Sequence, residues 1–74
     1  MKKQIRAAFQ ERIHILPREV SPAAYQMLLD EMGITTRPEM ELLSEIVKEE
    51  VQSVQLAVTR AKFNHFLWWL GGQQ

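Results

Sequence analysis

Few side chains in this sequence could do chemistry, and their spacing decides what they are. Glu11-Arg-Ile-His14 is a Glu-x-x-His pair, the helical spacing with which bundle proteins hold two-metal carboxylate centres. Such a centre needs two of these pairs and two further glutamates facing one another, and one chain supplies a single pair on a short charged helix. Glu41, Glu45 and Glu49 recur every four residues, which stacks three carboxylates on one helix face. With Lys48 beside them they read as a solvated face. Ser21, Ser44 and Ser53 have neither a neighbouring histidine nor a glycine elbow to make a nucleophile of them. No glycine-rich loop is present to cradle a phosphate. The chain has no cysteine and only two histidines, His14 and His65, far apart in sequence, which leaves no zinc site and no disulfide. No catalytic residue, metal or cofactor is expected.

Charge gives a second set of candidates. The 74 residues balance to zero net charge, but unevenly. Residues 1–18 carry Lys2, Lys3, Arg6, Arg12 and Arg18 against Glu11 alone, a local +4. Residues 39–50 carry five glutamates against Lys48, a local −4. Segments of opposite sign attract one another, within a chain or between chains. Lys2, Lys3 and Arg6 are therefore the candidate contact for a nucleic acid or an acidic partner, although zero net charge argues against a general nucleic-acid binder. The lysines at the start do not make a secretory signal, because Arg6, Gln10, Glu11 and Arg12 interrupt any apolar core. No run reaches the ~18 apolar residues of a membrane span, so a reducing cytoplasm is the default expectation.

The elements that must position these residues read as helices. Ile5, Ala8, Phe9, Ile13 and Leu16 fall at spacings of three and four, an amphipathic helix over residues 2–15 that Pro17 stops. Ser21 is an N-cap with Pro22 at the first helical position. Ala24, Tyr25, Leu28, Leu29 and Met32 then form the apolar face of a helix over 22–32, and Gly33 is the left-handed residue that ends it. Asp30 and Glu31 lie at its C-terminal end, where the helix dipole disfavours them. Thr36-Arg-Pro-Glu39 is a capping box. From there to Gly71 no glycine or proline intervenes, and Met40, Leu43, Val47, Val51, Val54, Val58 and Ala61 trace an apolar stripe. A single long helix over 37–70, closed by Gly71-Gly72, is the expectation. The turn before it, with Leu29, Gly33 and Ile34, loosely resembles that of a helix-turn-helix, but Glu39, Glu41 and Glu45 on the following helix would repel phosphates.

Length then sets a constraint. About 34 helical residues span ~51 Å at 1.5 Å each, whereas a compact chain of this size has a radius of gyration near 11 Å, hence a diameter of about 29 Å. Either the helix breaks, near Gln52-Ser53, or two chains share it. The sequence-level reading takes the second course: one all-α domain over 1–74, two short helices and one long one forming a helical hairpin or three-helix bundle, completed as a homodimer.

The exposed end of that long helix carries the functional expectation. In Phe66-Leu67-Trp68-Trp69-Leu70, successive side chains point about 100° apart, so the turn is apolar all round. With Val54, Val58 and Phe63 these residues form the candidate protein-interaction surface, since aromatic side chains are typical anchors in interface pockets. The expected function is a non-catalytic protein–protein interaction module, a small regulator, adaptor or inhibitor that self-associates through its C-terminal helix and docks a macromolecular partner. The alternatives are a nucleic-acid-associated regulator working through the basic N-terminal helix, and a peripheral membrane protein anchored by the aromatic cluster with Trp at headgroup level.

Overall fold

The computed structural model describes residues 1–73. It is all-helical. Among those residues four α-helices follow one another: α1 (Lys2–Arg12), α2 (Pro22–Met32), α3 (Arg37–Ser53) and α4 (Ala57–Gln73), with a single 3-10 turn, Ile13–Ile15, appended to α1. The first helical segment thus covers the expected residues but tightens over its last turn, as helix ends often do. Leu16 then adopts extended geometry (φ −66°, ψ 127°), the conformation that the ring of the following Pro17 requires.

The caps are those the residue types dictate. The Ser21 hydroxyl accepts the backbone N–H of Ala24 at 3.3 Å. Gly33 ends α2 in the left-handed region (φ 71°), and the Ile34 N–H reaches back to the carbonyl of Leu29 at 3.0 Å. At α3 the Glu39 carboxylate accepts the backbone N–H groups of Thr35 (3.1 Å) and Thr36 (3.0 Å), while the Thr36 hydroxyl oxygen accepts the Glu39 N–H at 3.4 Å.

The single long helix expected over 37–70 is two helices. It stops at Ser53, within the pair Gln52-Ser53 named as its weak point, and Val54 is extended (φ −82°, ψ 125°). In the tract Val51-Gln52-Ser53-Val54-Gln55 only the two glutamines are good helix formers; serine competes for backbone hydrogen bonds, and the β-branched valines lose rotamer freedom in a helix. The Ser53 hydroxyl donates to the carbonyl of Glu50 at 3.0 Å, a side-chain bond that competes with helix continuation. Across the turn, the Arg60 guanidinium donates to the Val54 carbonyl at 2.7 Å and satisfies a group the break leaves open. At the other end Gly71-Gly72 do not close the helix, which runs on to Gln73. Neither glycine has positive φ; glycine permits a left-handed stop without enforcing one.

The break changes the shape. Helices of 17 residues each replace the 51 Å rod, and the molecule measures 30 × 25 × 20 Å with a radius of gyration of 11.1 Å. Its accessible surface is 4734 Å², against about 4700 Å² for a compact monomer of this mass. The overhang that called for a second chain is therefore absent.

One core holds the helices together. Ile5 and Phe9 of α1, Tyr25, Leu28 and Leu29 of α2, Leu43, Ile46 and Val47 of α3, and Phe63, Phe66 and Leu70 of α4 are buried in it, with Leu16 and Ile34 closing it from the connections. Its centre is aromatic: Phe66 lies 6.1 Å from Phe9, 5.2 Å from Tyr25 and 6.3 Å from Trp69 between ring centroids. Contacts of this kind add to the burial of area.

Candidate functional site

The site expected from sequence divides in two when placed on α4. Successive residues of a helix point ~100° apart, so Phe63, Phe66 and Leu70 share one side, and all three are buried in the chain's own core. Leu67, Trp69 and Val54 are partly buried against it. Trp69 packs on the Tyr25 ring of α2 at 5.4 Å. Only Trp68 and Val58 of the expected anchors stand out, at 73% and 48% exposure. On the wheel they belong to the outward side of α4, in the series Val58, Ala61, His65, Trp68, Gly72 with steps of three and four.

Around Trp68 the C-terminal turns of α4 form a mostly apolar groove of about 410 Å³ lined by Trp68, Trp69, Gly71, Gly72 and Gln73. A Cβ added at either glycine would meet open space. The groove is therefore an accessible shelf beside the indole rings. Among the described residues, five further large apolar side chains that the expected cluster does not include are exposed: Met1, Ile15, Val20, Met27 on α2, and Leu56 in the α3–α4 turn, Leu56 being as open as Trp68 at 73%.

The basic candidate site is engaged within the chain. The Lys2 ammonium lies 3.1 Å from the Glu49 carboxylate and 3.7 Å from that of Glu45. Arg6 donates to the other oxygen of Glu49, and the Gln10 side-chain amide donates to Glu50 at 3.0 Å. The local +4 and −4 of the sequence thus meet where α1 crosses α3. The hydrogen bond from Lys2 holds Glu49 below the usual carboxylate range, aided by the nearby charges of Lys2 and Arg6 and opposed by partial desolvation. Lys3 is exposed and carries no such contact.

The remaining titratable candidates stay apart. His14 is exposed on the 3-10 turn, and Glu11 lies 3.6 Å from Arg12. Among the described residues no three His, Cys, Asp or Glu side chains gather as a metal site would require. Ser21 serves as a helix cap and Ser44 is buried within α3. The Tyr25 hydroxyl is buried near the Ser21 backbone but outside hydrogen-bonding geometry; burial pushes its acidity down, raising the phenol pKa, and the Ser21 backbone partly opposes that. Among the described residues no helix is long and apolar enough to cross a membrane. Comparison of the chain with known protein families, with curated proteins and with solved structures finds no match.

Proposed function

We propose that this protein is a non-catalytic protein–protein interaction module, a small regulator, adaptor or inhibitor whose docking surface is the outward side of α4. The observation that carries the reading is the exposure of Trp68, 73%, on a molecule whose other large aromatic side chains are buried or half-buried. Apolar ring surface left in water is unfavourable, and tryptophan, with tyrosine and arginine, is enriched among the anchors of protein interfaces. Val58 extends the apolar surface along the same helix, and the shelf at its end offers a partner side chain a place beside the ring. The nucleic-acid alternative has less to support it, since Lys2 and Arg6 are occupied by Glu45 and Glu49.

Affinity capture from the native host, comparing wild type with Trp68→Ala, tests the reading. The substitution leaves the core aromatic cluster untouched, so helicity should persist while specific captured proteins are lost. A captured set identical for the two proteins would remove α4's outward side as the docking surface.

A further inference from the structure

The junction between α3 and α4 lacks the signals that separate the other helices. Pro17 follows the end of the first helical segment, α2 starts at Ser21-Pro22 and ends at Gly33, and α3 starts at the capping box of Thr36. Between α3 and α4 there is neither glycine nor proline. The carbonyl of Leu56 accepts the first bond of α4, from the Arg60 N–H at 3.0 Å, so Leu56 stands at the N-cap. Leucine has no side-chain oxygen for the open N–H groups there and is among the poorest N-caps. The charges are also set against the dipoles: Glu50 lies in the last turn of α3 with no base beside it, and the first turn of α4 holds no acid. The stripe Val47, Val51, Val54, Val58 keeps its steps of three and four straight through the break, which turns Val58 out to solvent. Each of these features is ordinary in the middle of one helix and unfavourable at two helix ends.

The local sequence thus specifies a continuous helix, and the core bends it. Phe63 and Phe66 reach Phe9 and Tyr25 because α4 folds back. Straightened, residues 37–73 would span about 55 Å and carry α4 clear of a body 30 Å in its longest dimension. The other place that offers the same Phe9 and Tyr25 is a second copy of this chain.

We propose that the α3–α4 turn is a hinge through which two copies exchange α4, each laying its Phe63 and Phe66 on the Phe9 and Tyr25 of the other. The exchanged pair remakes the core contacts of α4 across a two-fold axis and removes two poorly made helix ends from each chain. Against it stand the Arg60–Val54 contact, which only the bent form makes, and the entropy of association. Monomer and pair are alternative closures of one sequence, chosen by concentration. Helix α4 buries the same side in both, which leaves Trp68 outward, so the proposal stands apart from the docking surface.

The test writes into this junction the start signal that α2 uses. Leu56→Ser/Ala57→Pro supplies a capping hydroxyl and a proline at the first helical position of α4, where no N–H is missed. In a continuous helix the same proline removes the bond to the Ser53 carbonyl and clashes with it. Wild type refolded from urea at millimolar concentration should give a species of twice 8.7 kDa by light scattering on a sizing column. Where isotope-labelled and unlabelled chains are refolded together, isotope-filtered NMR should find the Phe9–Phe63 ring contact between chains, whereas a pair formed through outer surfaces keeps it within each chain. The double variant should pair more weakly by over about a thousandfold, two prolines opposing each exchanged pair, and its monomer should melt at a higher temperature than wild type. If the proline lowers the helicity of the monomer, Leu56→Ser alone replaces it, with a smaller shift in the same direction. A wild type that stays monomeric after such refolding overturns the proposal, as does a pair whose Phe9–Phe63 contacts all lie within one chain, or a capped variant that pairs as wild type does.

Discussion

Replacing Phe66 and Trp68 by alanine, one at a time, sets two aromatic residues two positions apart against each other. Phe66 has no accessible surface and touches the rings of Phe9, Tyr25 and Trp69. Truncating a buried phenylalanine costs about 3–5 kcal/mol, the lost transfer energy plus the cavity left behind. A chain of 74 residues has a total stability of about 4–11 kcal/mol. Phe66→Ala therefore removes about a quarter or more of what holds the fold, and the weaker end of that stability range leaves the variant largely unfolded. Trp68 is 73% exposed. Its shaded quarter amounts to some 70 Å² of a ring system that buries at most ~250 Å², an upper bound near 1.7 kcal/mol at ~25 cal/mol per Å². Part of that shade comes from the helix itself, and alanine retains some of it, so a loss below ~1 kcal/mol is expected.

Urea titration followed by far-ultraviolet circular dichroism, at concentrations low enough to keep the chain monomeric, measures both. The expected result is a several-fold larger loss for Phe66→Ala than for Trp68→Ala, with unchanged helicity for the latter. Equal losses, or a larger one at Trp68, would refute the division of the C-terminal cluster into core and surface, and with it the docking surface.

Two smaller perturbations test the parts that position these helices. Thr36→Ala removes the hydroxyl of the capping box at α3; it should cost about 1 kcal/mol, seen as a fall in melting temperature of roughly 4–8 °C. Glu39 and Glu49 are both held below the ordinary glutamate value, Glu39 first by the backbone N–H of Thr35 and then by Thr36, Glu49 first by the Lys2 ammonium. A carboxyl lowered in the folded chain stabilises it fully above the unfolded value and ceases to do so as pH falls through the folded one. Both contributions should thus vanish on acidification. Carboxyl NMR titration in ~1 M salt should bring Glu49 back toward the ordinary value and move Glu39 less, because salt screens exposed charge pairs more than backbone hydrogen bonds; equal responses would show the causes to be the same.

What could be read from residue types alone was whatever local chemistry decides. Ser21-Pro22, Gly33 and Thr36-x-x-Glu39 each specify a cap through hydrogen bonds spanning at most five residues, and each is found where its sequence places it. The class of fold was legible for the same reason, since spacings of three and four repeat through every segment. Partition between core and surface was not. Phe66-Leu67-Trp68-Trp69-Leu70 is apolar all round, so periodicity within it cannot tell which ring turns inward. That depends on Phe9 and Tyr25, residues 57 and 41 positions before Phe66 in the chain. The meeting of Lys2 and Arg6 with Glu49 was likewise visible only as two opposite charge blocks, with nothing to say that one chain would supply both.

The break at Val54 was the harder question, because no glycine or proline marks it. Propensity alone favours neither form strongly: Ser, Val and Gln each cost at most ~0.7 kcal/mol against alanine in a helix. Bending lets α4 bring Phe63, Phe66 and Leu70 back onto Phe9 and Tyr25. A straight helix would deliver the same side chains to a second copy, an exchange of identical elements in which the core contacts cancel. What remains is the turn itself against the entropy of association. Ser53→Ala/Val54→Ala/Gln55→Ala favours the straight form by about 1 kcal/mol per chain, hence ~2 per exchanged pair, or roughly thirty-fold in its dissociation constant. Small-angle scattering at rising concentration should show the variant departing from the 11.1 Å radius of gyration at concentrations where wild type holds it. A variant that keeps that radius throughout would mean that the Arg60–Val54 contact and local packing, not weak helix propensity, hold the turn.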